Sequence, residues 1–185
     1  KTNNWKNEWK LLSDASIVVL QNEIPHEANL SIAKFCQENQ VKVLYNPAPA
    51  RETDIEMIPF CDFITPNEHE CSELFPDKKL EEIIKIYPNK MIVTLGVEGS
   101  IYYDGAVVQK IPAIKAEVVD TTGAGDTFNG AFAYAISKGK EMNVALSFAT
   151  IASHLSVQRF GAQGGMPSLK EIKEHLGYEE IWDFK

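Results

Sequence analysis

The sequence predicts an α/β fold, a mostly parallel sheet flanked by helices and finished by an antiparallel edge. Three observations carry that prediction. Four short apolar runs rich in β-branched residues alternate with helical periodicity, the pattern of strands buried on both faces. An Asp-Gly pair then separates two short β-prone segments. Beyond it the chain becomes persistently helical, starting from a glycine-rich turn.

The elements follow in order. Trp5, Trp9 and Leu12 stand at helical spacing and are expected to form a core contact. The first apolar run is Ile17-Val18-Val19-Leu20. Residues 27–39 place Leu30, Ala33 and Phe35 among polar neighbours, which predicts a helix. Val41-Lys42-Val43-Leu44-Tyr45 is the second run, Phe63-Ile64 a weaker third, and Met91-Ile92-Val93-Thr94-Leu95 the fourth. Ile101-Tyr102-Tyr103 and Val107-Val108 flank Asp104-Gly105, residues that suit a type I′ hairpin turn. Val118-Val119 reads as a short strand leading into Asp120-Thr121-Thr122-Gly123-Ala124-Gly125-Asp126. Helices are predicted over 124–138, 141–158 and 168–176, the first stopped at Gly139.

The bulk properties narrow the class. A length of 185 residues suits one domain, and 44% hydrophobic with 24% charged residues is ordinary globular composition. A formal charge of −8 argues against a nucleic-acid-binding surface. Cys36, Cys61 and Cys71 are odd in number and match no disulfide or zinc spacing, so reduced thiols in a cytoplasmic protein are expected. No apolar stretch approaches the roughly 18 residues of a membrane span. The chain begins at Lys1 without Met, and a preceding segment is expected.

Function is first legible in where the polar residues fall. Each apolar run ends in polar residues: Gln21-Asn22-Glu23, Asn46-Pro47-Ala48-Pro49-Ala50, Thr65-Pro66-Asn67, and Thr94 before Gly96. In a parallel sheet these all lie at the carboxyl edge, where open α/β folds bind ligands. Two glycines and an alanine at the start of a helix leave backbone N–H groups uncovered at its positive end, which suits phosphate oxygens. A glycine-rich helix start with Asp126 as an ordinary first-turn acid fits the same composition. Yet an anionic Asp126 beside a phosphate cradle has a chemical use, because phosphoryl transfer needs a base that orients the attacking hydroxyl. No Walker A sequence occurs, so a P-loop is excluded.

Asp120-Thr-Thr-Gly-Ala-Gly-Asp126-Thr-Phe-Asn-Gly130 resembles a signature of the PfkB carbohydrate kinase family. Asn46-Pro-Ala-Pro-Ala50, Ile64-Thr-Pro-Asn67-Glu-His-Glu70, Thr94-Leu-Gly96 and Arg159-Phe-Gly-Ala-Gln163 match it in order and spacing, so the resemblance runs through essentially all 185 residues. It implies a ribokinase-like α/β fold, with 1–185 as the C-terminal part of one such domain that carries the ATP site. It also implies transfer from MgATP to a sugar hydroxyl, D-ribose to ribose 5-phosphate first. Fructose, a keto-deoxy sugar acid or a nucleoside are the alternative acceptors, and a non-catalytic nucleotide-binding fragment is a reading of a different class.

The resemblance also assigns roles. Asp126 is the implied catalytic base and contacts the acceptor sugar, as does Glu23, which reads equally as a solvated loop acid. Gly123, Ala124 and Gly125 are the implied anion hole. Asn67, Thr94 and Gly96 border the nucleotide. Glu70 is the implied Mg²⁺ residue, acting through water, although Asn67 and Glu70 also form the spacing of a helix capping box. Asp120 and Thr122, with the backbone of 156–163, are the implied site for a monovalent cation, K⁺. The resemblance further implies a small lid and further strands before Lys1, a homodimer in the natural-length protein, and weak or no turnover by residues 1–185 alone.

Overall fold

A computed structural model describes residues 6–184. Two three-stranded sheets run β1 (Ile17–Gln21), β2 (Lys42–Asn46), β3 (Phe63–Ile64) and β4 (Ile92–Thr94), β5 (Ser100–Tyr103), β6 (Val108–Ile111). The first is parallel throughout and the second antiparallel. Parallel bridges Ile64↔Met91 and Asn67↔Thr94 join β3 to β4, so four strands run one way before the chain reverses at the 3₁₀ turn Gly96–Glu98 between β4 and β5. The predicted mostly parallel sheet with an antiparallel edge is therefore the observed architecture.

The strands lie in sequential spatial order, and crossovers of the usual right hand then place every connection on the same face of the sheet. That face carries α2 (His26–Glu38), the 3₁₀ segment Glu52–Phe60, α3 (Glu68–Leu74) and α4 (Leu80–Ile86). Its core takes Val43 and Tyr45 from β2 with Val93 from β4, packed against Ala33, Cys36, Met57, Leu74, Ile83 and Ile84. The intervening residues Leu44 and Ile92 point the other way, as period-two alternation requires. They meet Phe128 and Phe132 of α5 (Ala124–Ser137) and Leu146 and Phe148 of α6 (Met142–Ser156). Each central strand is thus apolar on both faces, which is why the runs read as continuous rather than alternating. β1 differs: Val19 is 43% exposed, and among the described residues no strand pairs with its outer edge.

The helices fall close to the predicted ranges, and α7 (Leu169–Glu174) is two residues shorter at its C-terminus than expected. In α1 (Lys6–Ser13), Trp9 packs on Phe35 of α2 with ring centroids 4.5 Å apart; Trp5 lies outside the described residues. No helix among the described residues is long and apolar enough to cross a membrane. The three cysteines are buried free thiols.

Two local expectations are corrected. The hairpin turn is not type I′, because Asp104 does not adopt the positive φ that type demands at both central residues. Instead the Asp104 carboxylate accepts the amides of Ala106 and Val107, both at 2.7 Å, and closes a four-residue loop. Val118-Val119 is not a strand. Both side chains are more than half exposed, and the local backbone bond is Val119 N–H to the Val157 carbonyl at the end of α6. With no sheet neighbour there, β-propensity has nothing to pair with.

Candidate active site

The carboxyl ends of β1 to β4 and the first turn of α5 enclose a polar cavity of about 370 Å³. Its lining includes Glu23, Asn67, Glu70, Thr94, Gly123, Gly125 and Asp126, residues from four separate stretches of sequence. Gln21, Asn46, Thr65 and Asn129 complete the polar wall. Their position was legible, since three of them end apolar runs, but their pairing was not. Gly96, Ala124, Asp120 and Thr122 are not among the lining residues. Gly96 opens a 3₁₀ turn directly beyond β4.

The turn before α5 depends on Gly123. Its φ is +78°, and an added Cβ would stand 3.0 Å from the Cα and Cβ of Ala162. A side chain there is excluded by conformation and by space together. Asp120 fixes the turn from behind. Its carboxylate accepts Thr122 N–H and Gly161 N–H, both at 2.9 Å, which pins the turn to the loop after α6. The Thr122 amide, then the Thr122 hydroxyl and the Gly161 amide, hold this carboxyl below its ordinary range.

The first-turn amides divide into two kinds. The Ala124 N–H donates to the Thr121 carbonyl at 3.1 Å and is occupied within the turn. Among the described residues, the amides of Gly123, Gly125 and Asp126 have no backbone acceptor. Those three N–H groups, at the positive end of a helix of 14 residues, are the donors available to an anion.

Asp126 does not serve its own helix as a cap. Its Oδ1 accepts Gln21 Nε2–H at 2.7 Å, across 105 residues of sequence. It also borders a second, apolar concavity of about 340 Å³ between α5, α6 and α7, so it stands on the wall between a polar and an apolar hollow.

The ambiguity over Asn67 and Glu70 resolves into a capping box. Asn67 Oδ1 accepts Glu70 N–H and Glu70 Oε2 accepts Asn67 N–H, both at 2.8 Å. Both residues also line the cavity, so the structural role does not remove them from the site. Burial raises the Glu70 carboxyl above its ordinary value, with the Asn67 amide opposing. Only Oε2 is used by the cap, which leaves Oε1 as a half-buried oxygen able to accept a hydrogen bond. One such carboxylate fits a Mg²⁺ ion that keeps most of its waters.

Behind the Glu23 loop lies a buried network. Asn22 donates to the Pro49 carbonyl at 2.8 Å and to Asp54 Oδ2 at 2.7 Å, and accepts the Tyr45 hydroxyl at 2.7 Å. Arg51 donates to the Asn22 and Ile24 carbonyls. Glu23 itself is exposed on this anchored loop. The signal for the network was weak in sequence, because Asn22 and Asp54 look like ordinary loop and helix-start residues.

Comparison with known proteins bears on this cavity. The pfkB family carbohydrate kinase description matches residues 1–169. The chain is 64% identical over 173 residues to a ribokinase of Lactococcus lactis, covering 94% of this chain and 58% of that protein. It is 44% identical over 170 residues to a ribokinase of Bacillus subtilis, covering 92% of this chain and 58% of that protein. The structure of an Arabidopsis thaliana ribokinase complexed with ribose and ATP superimposes with a TM-score of 0.81 at 32% identity, covering 97% of this chain and 59% of that one. The chain therefore spans a little under three-fifths of the length of the curated relatives it matches.

Proposed function

The chain belongs to the pfkB family of carbohydrate kinases, and on that premise we propose that the natural-length protein phosphorylates D-ribose at its 5-hydroxyl from MgATP. The observation that carries the proposal is the meeting of Asp126 with three unengaged backbone amides at one end of a polar cavity. The similarity to two ribokinases and to a ribokinase that binds ribose and ATP supports the choice of acceptor.

In this reading the Asp126 carboxylate accepts the proton of the attacking hydroxyl as the hydroxyl oxygen bonds to the γ-phosphorus and the bond from that phosphorus to the β–γ bridging oxygen breaks, releasing ADP. The amides of Gly123, Gly125 and Asp126 donate to the phosphoryl oxygens as charge gathers there, with Ala124 shaping the turn. Glu23 holds acceptor hydroxyls. Asn67, Thr94 and Gly96 border the nucleotide. Mg²⁺, when bound with ATP, supplies positive charge to the phosphate oxygens, and Glu70 would hold it through water. Asp120, Thr122 and the carbonyls of 156–163 would hold K⁺. The Asp120–Gly161 bond supports this assignment, because it brings those groups to one place.

The test is a panel of sugars with MgATP and the natural-length protein, followed by ADP release in K⁺ and in Na⁺ buffers. D-ribose should stimulate ADP formation more than 2-deoxyribose, fructose or a nucleoside, and K⁺ should exceed Na⁺. No stimulation by any sugar would sink the kinase reading. A higher rate with another acceptor would replace ribose, and equal rates in the two salts would remove the cation site.

A further inference from the structure

The polar wall contains a directional chain of amides that ends on Asp126, and its direction follows from one fixed group. The Thr65 carbonyl can only accept, and Asn46 Nδ2 donates to it at 2.7 Å. That bond sets the Asn46 amide with Oδ1 turned away from Thr65, where it accepts Gln21 Nε2–H at 3.2 Å. Gln21 must therefore present its nitrogen to this side. The second hydrogen of the same nitrogen goes to Asp126 Oδ1 at 2.7 Å. Both N–H bonds of Gln21 are thus committed, one to the sheet and one to the carboxylate.

The backbone of Gln21 is held as firmly. It is the last residue of β1, paired in register with Asn46. Its carbonyl accepts the side chain of Asn29, a residue with no exposed surface, at 2.8 Å. The neighbouring Asn22 amide donates to the Ala48 carbonyl at 3.2 Å. Among the described residues Asp126 Oδ2 makes no side-chain hydrogen bond, so one carboxylate oxygen is tied and the other is free.

From this geometry, and resting on the kinase reading above, we infer that Gln21 is a positioning residue for the base. Gln21 fixes the plane of the Asp126 carboxylate through Oδ1 and leaves Oδ2 to take the proton of the acceptor hydroxyl. Asn46 and Thr65 are the fixed end of the chain that sets which way Gln21 points. The device links the carboxyl edge of β1–β3 to the N-terminus of α5, so the base and the cavity floor share one orientation. A carboxylate left free to rotate presents its oxygen in the reactive direction for only part of the time, which is a cost in kcat rather than in binding.

Gln21→Met keeps the volume and removes the donor, whereas Gln21→Glu sets a carboxylate against both Asp126 and Asn46 Oδ1. In the natural-length protein, kcat should fall about tenfold for Gln21→Met and about a hundredfold or more for Gln21→Glu, with KM for MgATP unchanged within about twofold. In an Asp126→Asn background, Gln21→Glu should alter the residual rate by less than about threefold, because the repelled carboxylate is gone. Equal rates for Met and Glu, loss expressed in KM for MgATP, or full additivity with Asp126→Asn overturns the inference while leaving the kinase reading intact. Absence of sugar-dependent ADP formation by the unmodified protein overturns both.

Discussion

Asp126→Asn is expected to lower sugar-dependent ADP formation by about 10²–10⁴-fold, the range for loss of a general base, while MgATP binds within a few fold of its original affinity. The split follows from the site. The replacing amide has the shape of the carboxylate, and its oxygen can still accept Gln21 Nε2–H, so α5 keeps its tie to β1. The unengaged amides of Gly123 and Gly125 belong to the backbone and survive the substitution. What is lost is the capacity to take a proton. Turnover kinetics with calorimetric titration of MgATP measures both halves. Unchanged turnover would mean that Asp126 is only a first-turn acid and that the cavity binds nucleotide without acting on it. Lost nucleotide binding would mean that the carboxylate shapes the site rather than reacting in it.

Phe132→Ala is the substitution expected to cost most in stability, about 3–5 kcal/mol by the measure of large-to-small core changes. Phe132 has no exposed surface and lies on α5 under the sheet, edge-on to Phe63 of β3 with centroids 5.2 Å apart. It packs in the same cluster as Leu44, Ile92 and Phe148. The ring therefore joins sheet to helix at the place where α5 must be held for Asp126 to reach the carboxyl edge. Denaturant unfolding gives the loss directly, and a change below about 1 kcal/mol would show that neighbouring side chains collapse into the vacated space and that the ring does not anchor α5. Because α5 carries Asp126, the proposed base, residual activity should fall in step with the folded fraction rather than through KM.

The legibility of this chain divides along a physical line. Period and composition revealed β1 to β4, since Leu44 and Ile92 serve one face while Val43, Tyr45 and Val93 serve the other. They failed at Val118-Val119, where propensity was present and no neighbouring strand was. Asp104-Gly105 marked a turn correctly, yet its type depended on a carboxylate folding back on two amides. At the site, the resemblance and the strand ends identified residues that the cavity does bring together, including Glu23, Asn67, Thr94 and Asp126. The chain from Thr65 through Asn46 and Gln21 to Asp126 was not readable, because nothing in a sequence states which way an amide points. Nor was the occupied amide of Ala124, which depends on how the turn closes on Thr121.

The transfer proposed for the natural-length protein is that of a γ-phosphoryl group from ATP to the 5-hydroxyl of ribose at this cavity. Its most direct test is product analysis by ³¹P and ¹³C NMR after incubating the natural-length protein with MgATP and ¹³C-labelled D-ribose. A new phosphate ester coupled to C5 is expected. No phosphorylated sugar, or an ester at another carbon, would contradict it.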